Sequence, residues 1–178
     1  MTMGGLRGQG LTITATNLIA MSTPTIRPAR REDCPRLLEL VRELAAFERA
    51  PDAVTVSSAH FEEAGFGSSP VWQAVVAEDD GMVVGFALWY VRFSTWTGCR
   101  LYLEDIVVTA ARRGEGIGRR LFEATVGEAR RNGFAGMTWQ MLDWNDAARR
   151  FYDRFDPRYD SEWVNCHLDF PASRDERA

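Results

Sequence analysis

The sequence has 178 residues, a length that suits one compact domain, and 46 % hydrophobic side chains exclude disorder as its main state. A formal net charge of −4 offers no basic footprint for nucleic acid, and no apolar run reaches the ~18–20 residues of a membrane helix. Cys34, Cys99 and Cys166 form no CxxC pair, and His60 and His167 stand far apart. Neither a disulfide framework nor a metal site is indicated, and a soluble cytoplasmic protein is expected.

Residues 1–22 read as a disordered extension or an over-long start, because ordinary folded patterning begins just after Met21. The domain is expected over 23–171, with a frayed polar tail at 172–178. Thr25-Ile26-Arg27 reads as a short strand ended by Pro28. Asp33 offers a helix cap and Pro35 suits a first turn, so Cys34 to Glu48 is predicted as an amphipathic helix. A second helix spans Ser58 to Ala64, closed by Gly65. Val71 to Glu78 and Met82 to Phe93 are β-rich runs joined by the turn Asp79-Asp80-Gly81.

Leu101 to Val108 is a further strand, followed by a basic glycine-rich turn and a helix from about Gly116 to Asn132, stopped by Gly133. Met137 to Leu142 reads as a strand. Asn145 caps a helix running to about Phe155, and Trp163 to Phe170 is predicted to end the domain as a strand. Hairpins early and a strand–helix–strand unit late imply an α/β (α+β) fold: a central mixed, mostly antiparallel sheet with helices on both faces.

Two places stand out chemically. Between a strand and a helix lies Arg112-Arg113-Gly114-Glu115-Gly116-Ile117-Gly118-Arg119. Its glycines let backbone N–H groups approach an anion, the helix start adds unpaired donors, and Arg112, Arg113 and Arg119 can neutralise phosphate. A Walker A loop needs Gly-Lys-Ser/Thr, which is absent, and a dinucleotide fingerprint needs glycine where Arg119 stands. A merely flexible basic turn is the alternative.

The second place is Glu104-Asp105, which interrupts the apolar strand Leu101 to Val108. Adjacent strand residues face opposite sides, so the two acids have different roles. A buried carboxylate is costly unless it is paired, so an acid kept there is a candidate site residue; a strand-end position or a structural pairing with arginine is the alternative. From Glu104 to Thr109 is roughly 16 Å of strand, enough for an extended ligand to reach from the anion cradle to the acid.

The runs Tyr102 to Val108, Arg112 to Gly118, Leu142-Asp143-Trp144-Asn145 and Phe151-Tyr152 resemble, in order and spacing, the diamine acetyltransferase group of the GNAT superfamily. Ile26 to Ala29, Glu43 to Glu48 and Gly65-Phe66-Gly67 resemble its N-terminal half. Ser94-Thr95-Trp96 and Leu142 to Asn145 are more similar to the thialysine N-acetyltransferase branch than to the spermidine/spermine branch, which carries aspartate at the place of Ser94. After Tyr152, Asp153 to Pro157 departs from the group's usual Leu-Gly-Ala ending.

The resemblance implies a GNAT fold, acetyl-CoA as cosubstrate, no metal, a small cationic amine acceptor and a homodimer. It implies that backbone groups of Ile106, Val107 and Val108 pair with pantetheine. Arg113, Gly114, Glu115, Gly116, Ile117, Gly118 and Arg119 hold the pyrophosphate; Asn145 contacts the cofactor, with Asp146, Ala147 and Ala148 close by. Tyr152 protonates the departing thiolate, and Glu104 helps to deprotonate the amine through water. Phe47, Glu48, Trp96 and Asp105 shape or charge the acceptor pocket.

That chemistry suits those residue types. An alkyl amine of pKa near 10 is protonated at neutral pH and must lose a proton before it can attack, which a carboxylate can accept or relay. A phenol of pKa near 10 is already protonated and can serve a thiolate of pKa near 8.5. Cys99 has no histidine nearby in sequence and reads as a packing thiol, so direct attack in a ternary complex is expected. Acetylation of a protein amine, or a non-catalytic acetyl-CoA-binding module, are the alternatives.

Overall fold

The computed structural model describes residues 23–170. The expected extension at 1–22 and the tail at 172–178 lie outside the described residues. Five strands, β1 (Thr25–Pro28), β2 (Gln73–Asp79), β3 (Met82–Ser94), β4 (Gly98–Val108) and β5 (Met137–Trp139), lie side by side in chain order. Neighbours are antiparallel except β4 and β5, which run parallel. Asp80 and Gly81 both take positive φ (47° and 78°), which matches the twist of the β2–β3 hairpin.

Four helices cover the two faces: α1 (Cys34–Phe47), α2 (Ser58–Phe66), α3 (Ile117–Arg131) and α4 (Asp146–Tyr152). On one face Leu37, Leu38 and Leu40 of α1 and Phe61 of α2 pack on Val76, Phe86, Leu88 and Val107. On the other, Ile117, Leu121 and Phe122 of α3 and Tyr152 of α4 pack on Ala87, Trp89, Leu101 and Leu103. Among the described residues no helix is long and apolar enough to cross a membrane.

One irregularity sets the phase of β4. Leu88 pairs with Asp105 and Trp89 with Leu103, so Glu104 is the extra residue of a β-bulge. Before it, the odd-numbered Leu101 and Leu103 face α3; after it, the even-numbered Ile106 and Val108 do, and Val107 turns to α1. The strand therefore keeps apolar contact with both layers while the bulge redirects the two acids.

Several local expectations are corrected. Asp33 does not cap α1: its carboxylate binds the Arg27 guanidinium at 2.7 and 3.0 Å and accepts the Arg30 N–H at 2.7 Å. Gly65 does not close α2, which continues to Phe66 and is capped by Gly67. The glycine is needed instead because the Trp72 indole lies on it, and a Cβ there would stand 2.2 Å from a ring carbon. Regular structure in the fifth strand stops at Trp139 rather than Leu142. The fourth helix ends at Tyr152, and Asp153–Phe155 tightens into a 3-10 turn. Trp163 to Phe170 forms no strand within this chain, despite its apolar alternation, because no described strand lies beside it.

The Arg27–Asp33 pair sits almost out of water, with side-chain exposures of 16 and 7 %, and Arg27 also grips Glu78 of β2. It ties β1 to the start of α1. Burial favours the neutral Asp33, but the hydrogen bonds from Arg27 and the Arg30 N–H outweigh it and hold the carboxyl below its usual range. The stabilisation is thus complete at neutral pH and is lost as pH falls through that lowered value. Asp33→Ala strands a buried guanidinium and is expected to cost about 3 kcal/mol in urea unfolding at pH 7. A loss under about 0.5 kcal/mol would show that the pair is not a clamp.

Candidate active site

β5 accompanies β4 only from Leu101 to Leu103. Beyond that point the two elements part, and the β4 edge from Glu104 to Val108 has no strand on its β5 side. α4 returns across the opening, anchored where Phe151, Tyr152 and Phe155 pack around Phe122. Among the described residues the backbone edge that includes Ile106, Val107 and Val108 is therefore left without a strand partner on that side.

At one end lies the glycine turn. Gly114 and Gly116 have φ of 83° and 79°, and a Cβ at either would meet nothing within 4 Å. Their need for glycine is conformational, and the space above them is open. Gly116 precedes α3, which no side chain caps, so the backbone donors of Ile117, Gly118 and Arg119 face outward with the helix dipole behind them. The donor set fits a diphosphate. Arg113 donates from Nε to the Val108 carbonyl at 3.0 Å and lies over the Phe47 ring. Arg119 is exposed and paired only with Glu123. Arg112 is not a free phosphate ligand: it is held by Asp79 and by Glu115. Glu115 thereby fixes the loop rather than pointing at an anion.

At the other end three ionisable groups share one field. Burial, then the charges of Glu104 and Glu48, push the Asp105 carboxyl up to about 6. Burial also raises Glu48, at the C-terminal end of α1. The Tyr152 ring is 6 % exposed and touches Trp139, Phe122 and Phe151. Among the described residues its hydroxyl has no hydrogen-bond partner, and it is not fully buried. Burial, then Asp105, Glu48 and Tyr159, hold that phenol well above its ordinary value. The Tyr152 phenol is consequently protonated at neutral pH.

The two acids of the strand differ from the sequence expectation in burial. Glu104 is exposed on the bulge beside the stacked Tyr90 and Tyr102, whereas Asp105 is half-buried, so desolvation weighs on Asp105 and not on Glu104. Phe47 meets Trp144 at a ring separation of 6.0 Å, and the Arg113 guanidinium lies over the Phe47 ring at 5.4 Å. Trp96 stands elsewhere. It is 84 % exposed on the β3–β4 turn, where the Ser94 hydroxyl accepts the N–H groups of Trp96 and Thr97, and its ring meets Trp163. Asn145 caps α4 by accepting the Ala148 N–H at 3.0 Å, leaving its amide NH₂ free, with Asp146 and Ala147 in the same first turn.

The family described as Acetyltransferase (GNAT) matches residues 33–156, a span that contains the glycine turn, the unpaired edge and Tyr152. The chain belongs to the GNAT acetyltransferase family. It is an acetyltransferase, and GNAT acetyltransferases use acetyl-CoA. Among its GNAT relatives, the thialysine N-epsilon-acetyltransferase of Mus musculus is 36 % identical over 140 residues, covering 74 % of this chain and 82 % of the relative. The spermidine/spermine N(1)-acetyltransferase-like protein 1 of Homo sapiens is also 36 % identical, over 134 residues, covering 71 % of this chain but 19 % of that longer protein. A crystal structure of the aminoglycoside acetyltransferase meta-AAC0020, from an uncultured soil metagenomic sample, shares the GNAT fold at TM-score 0.68 and 22 % identity, covering 83 % of this chain and 96 % of that one.

Sequence reasoning missed Arg49 and left Trp144 open between core and pocket. Arg49 takes φ of 65° in the left-handed region and lies 4.6 Å over the Trp144 ring. The signal was available: no glycine follows the first helix, so another residue had to close it.

Asp105 also makes a stability prediction. Its carboxyl titrates higher in the fold than in the unfolded chain, so the native state binds the extra proton and stability falls as pH rises from about 4 to about 6. Asp105→Asn is expected to be more stable than the wild type above pH 6 and equal to it near pH 3 in urea titrations. A variant less stable at pH 7.5 would show that the ionised acid is well satisfied.

Proposed function

We propose that this GNAT protein transfers acetyl from acetyl-CoA to the amine of a small cationic acceptor, by direct attack with both partners bound. The observation that supports this reading is that the uncapped glycine turn follows directly on the strand edge left unpaired beyond Leu103, an edge on which Asp105 stands in the field of Glu48 and Tyr152.

Gly114, Gly116, Ile117, Gly118 and Arg119 would hold the diphosphate through backbone donors, with Arg113 adding charge. Ile106, Val107 and Val108 offer the backbone edge to the pantetheine arm, while the Asn145 amide, Asp146, Ala147 and Ala148 border it. When bound, acetyl-CoA supplies the activated thioester carbonyl. Arg113 must leave the Val108 carbonyl for that edge to pair, so its present hydrogen bond keeps the slot covered.

Glu48 and Asp105 attract the acceptor's ammonium. Asp105, poised near neutrality, is the better-tuned proton acceptor, and Glu104 on the solvent side of the bulge suits a water-linked relay. Ammonium binding neutralises the charges that raise Tyr152, lowering its phenol toward the range where Oη can give up a proton to the leaving sulfur. Phe47 and Trp144 supply apolar walls, and the exposed Trp96 stands as a candidate lid for the acceptor.

The thialysine and spermidine/spermine names of the relatives support a small amine over a protein acceptor. The joint presence of acid and phenol disfavours a merely regulatory binding module. A panel of amines with labelled acetyl-CoA is expected to show turnover on ω-amino acids and diamines. Silence across the panel despite acetyl-CoA binding rejects the reading. Tyr152→Phe should lower kcat about 10²-fold or more with cofactor affinity kept, and Asp105→Asn should cost more in kcat/KM than Glu104→Gln. An unchanged kcat in Tyr152→Phe removes the phenol from the chemistry.

The reading includes a homodimer. Val164, Leu168 and Phe170 are 80–84 % exposed on an extended segment with strand-like alternation, a face that a second copy can cover. Sedimentation equilibrium at micromolar concentration is expected to give twice the chain mass; a monomer at 100-fold higher concentration rejects this part.

A further inference from the structure

The packing of α1 changes along its length. Its buried residues, Cys34, Leu37, Leu38 and Leu40, all lie in the first half. In the second half Val41 and Leu44 are only partly buried, and Phe47 is 42 % exposed. The half that carries Phe47 and Glu48 is therefore held less by the core and more by polar and ring contacts.

Those contacts reach two places. Phe47 and Arg49 lie against Trp144, in the loop before α4. Toward the β4–α3 turn there are two ties among the described residues. One is the Arg113 guanidinium over the Phe47 ring at 5.4 Å; the other is the Thr109 hydroxyl, which donates to the Glu43 carboxylate at 3.2 Å. Arg36 donates to the second Glu43 oxygen at 3.3 Å and, from Nε, to the Val83 carbonyl at 3.2 Å, so the acid is held from both sides. Thr109 is itself anchored. Its N–H donates to the Val84 carbonyl at 2.9 Å, and its carbonyl accepts the Arg112 N–H at 2.9 Å. It is the residue where the strand ladder ends and the glycine turn begins.

The two ties answer differently to a diphosphate. On the reading above, Arg113 leaves the Val108 carbonyl when the strand edge pairs with pantetheine. A guanidinium that turns from that carbonyl to phosphate gives up its place over Phe47. The Glu43–Thr109 bond involves no group assigned to the cofactor. Phe47 stands one turn beyond Glu43 on the same side of the helix, so a shift at one is passed to the other. We infer that Glu43 is a positioning residue: by gripping Thr109 it keeps the Phe47–Glu48 end of α1 in place once acetyl-CoA has drawn Arg113 off Phe47. It acts through the helix that brings Glu48 into the field of Asp105 and Tyr152. The inference rests on the cofactor placement proposed above and is independent of the acceptor's identity.

The N–H groups of Glu48, Arg49 and Ala50 close α1 on the carbonyls of Leu44, Ala46 and Ala45, and their hydrogen exchange reads the hold on this end. Thr109→Val removes the hydroxyl at nearly constant volume, whereas Thr109→Ser keeps it. Without coenzyme A both variants are expected to exchange within about twofold of the wild type, because Arg113 still lies on Phe47. With saturating coenzyme A, Thr109→Val should exchange these amides about fivefold faster than the wild type, the weight of one hydrogen bond, and Thr109→Ser should match the wild type. Glu43→Ala should behave as Thr109→Val does, and the double variant no worse than either. A Thr109→Val protein that exchanges like the wild type in coenzyme A overturns the inference. So does one that is equally faster with and without the ligand, since the bond then serves the fold alone. If coenzyme A leaves the N–H groups of Ile117, Gly118 and Arg119 exchanging as in the free wild type, the inference falls together with the cofactor placement.

Discussion

The site depends on the parting of β4 and β5. Where two parallel strands separate, backbone donors and acceptors that would have been consumed by the ladder are left facing a gap. Such groups cannot stay empty-handed in a protein interior; here water, the Arg113 side chain or a ligand must serve them. The bulge at Glu104 lies at the last paired position and inverts the strand's facing pattern, so Val107 is buried under α1 while Ile106 and Val108 turn to α3.

Much of this was legible in the sequence, and the reason differs from place to place. The I′ turn at Asp80-Gly81, the long helices and the glycine turn are local: their signals lie within a few residues of the structure they specify. The roles of Asp33, Gly65 and Arg112 were not legible, because their partners Arg27, Trp72 and Asp79 come from other elements. The strand acids illustrate the limit well. Strict alternation put Glu104 and Asp105 on opposite faces, but only pairing with β3 reveals a bulge that leaves the first exposed and the second half-buried. Trp163 to Phe170 carries a strand's pattern without a strand's neighbour, so periodicity alone could not settle its state.

The electrostatics of the proton-handling end are self-consistent. Burial raises Glu48, Asp105 and Tyr152 alike; the charges of Glu104 and Glu48 add to it at Asp105, and those of Asp105 and Glu48 add to it at Tyr152. The fold therefore carries a local electrostatic cost at neutral pH. On the proposed reading, stability and activity would be set against each other at Asp105.

The glycine turn is held from behind. Arg112 grips Asp79 at the end of β2 and Glu115 within the turn, so the hairpin and the anion loop form one braced unit. Flexible phosphate loops lose freedom on closing around their ligand, and that loss subtracts from affinity. A loop whose shape is already fixed by a neighbouring hairpin avoids most of it. For this protein, association at the anion end should therefore resemble the seating of a rigid key in a standing lock, with little rearrangement of the chain around it.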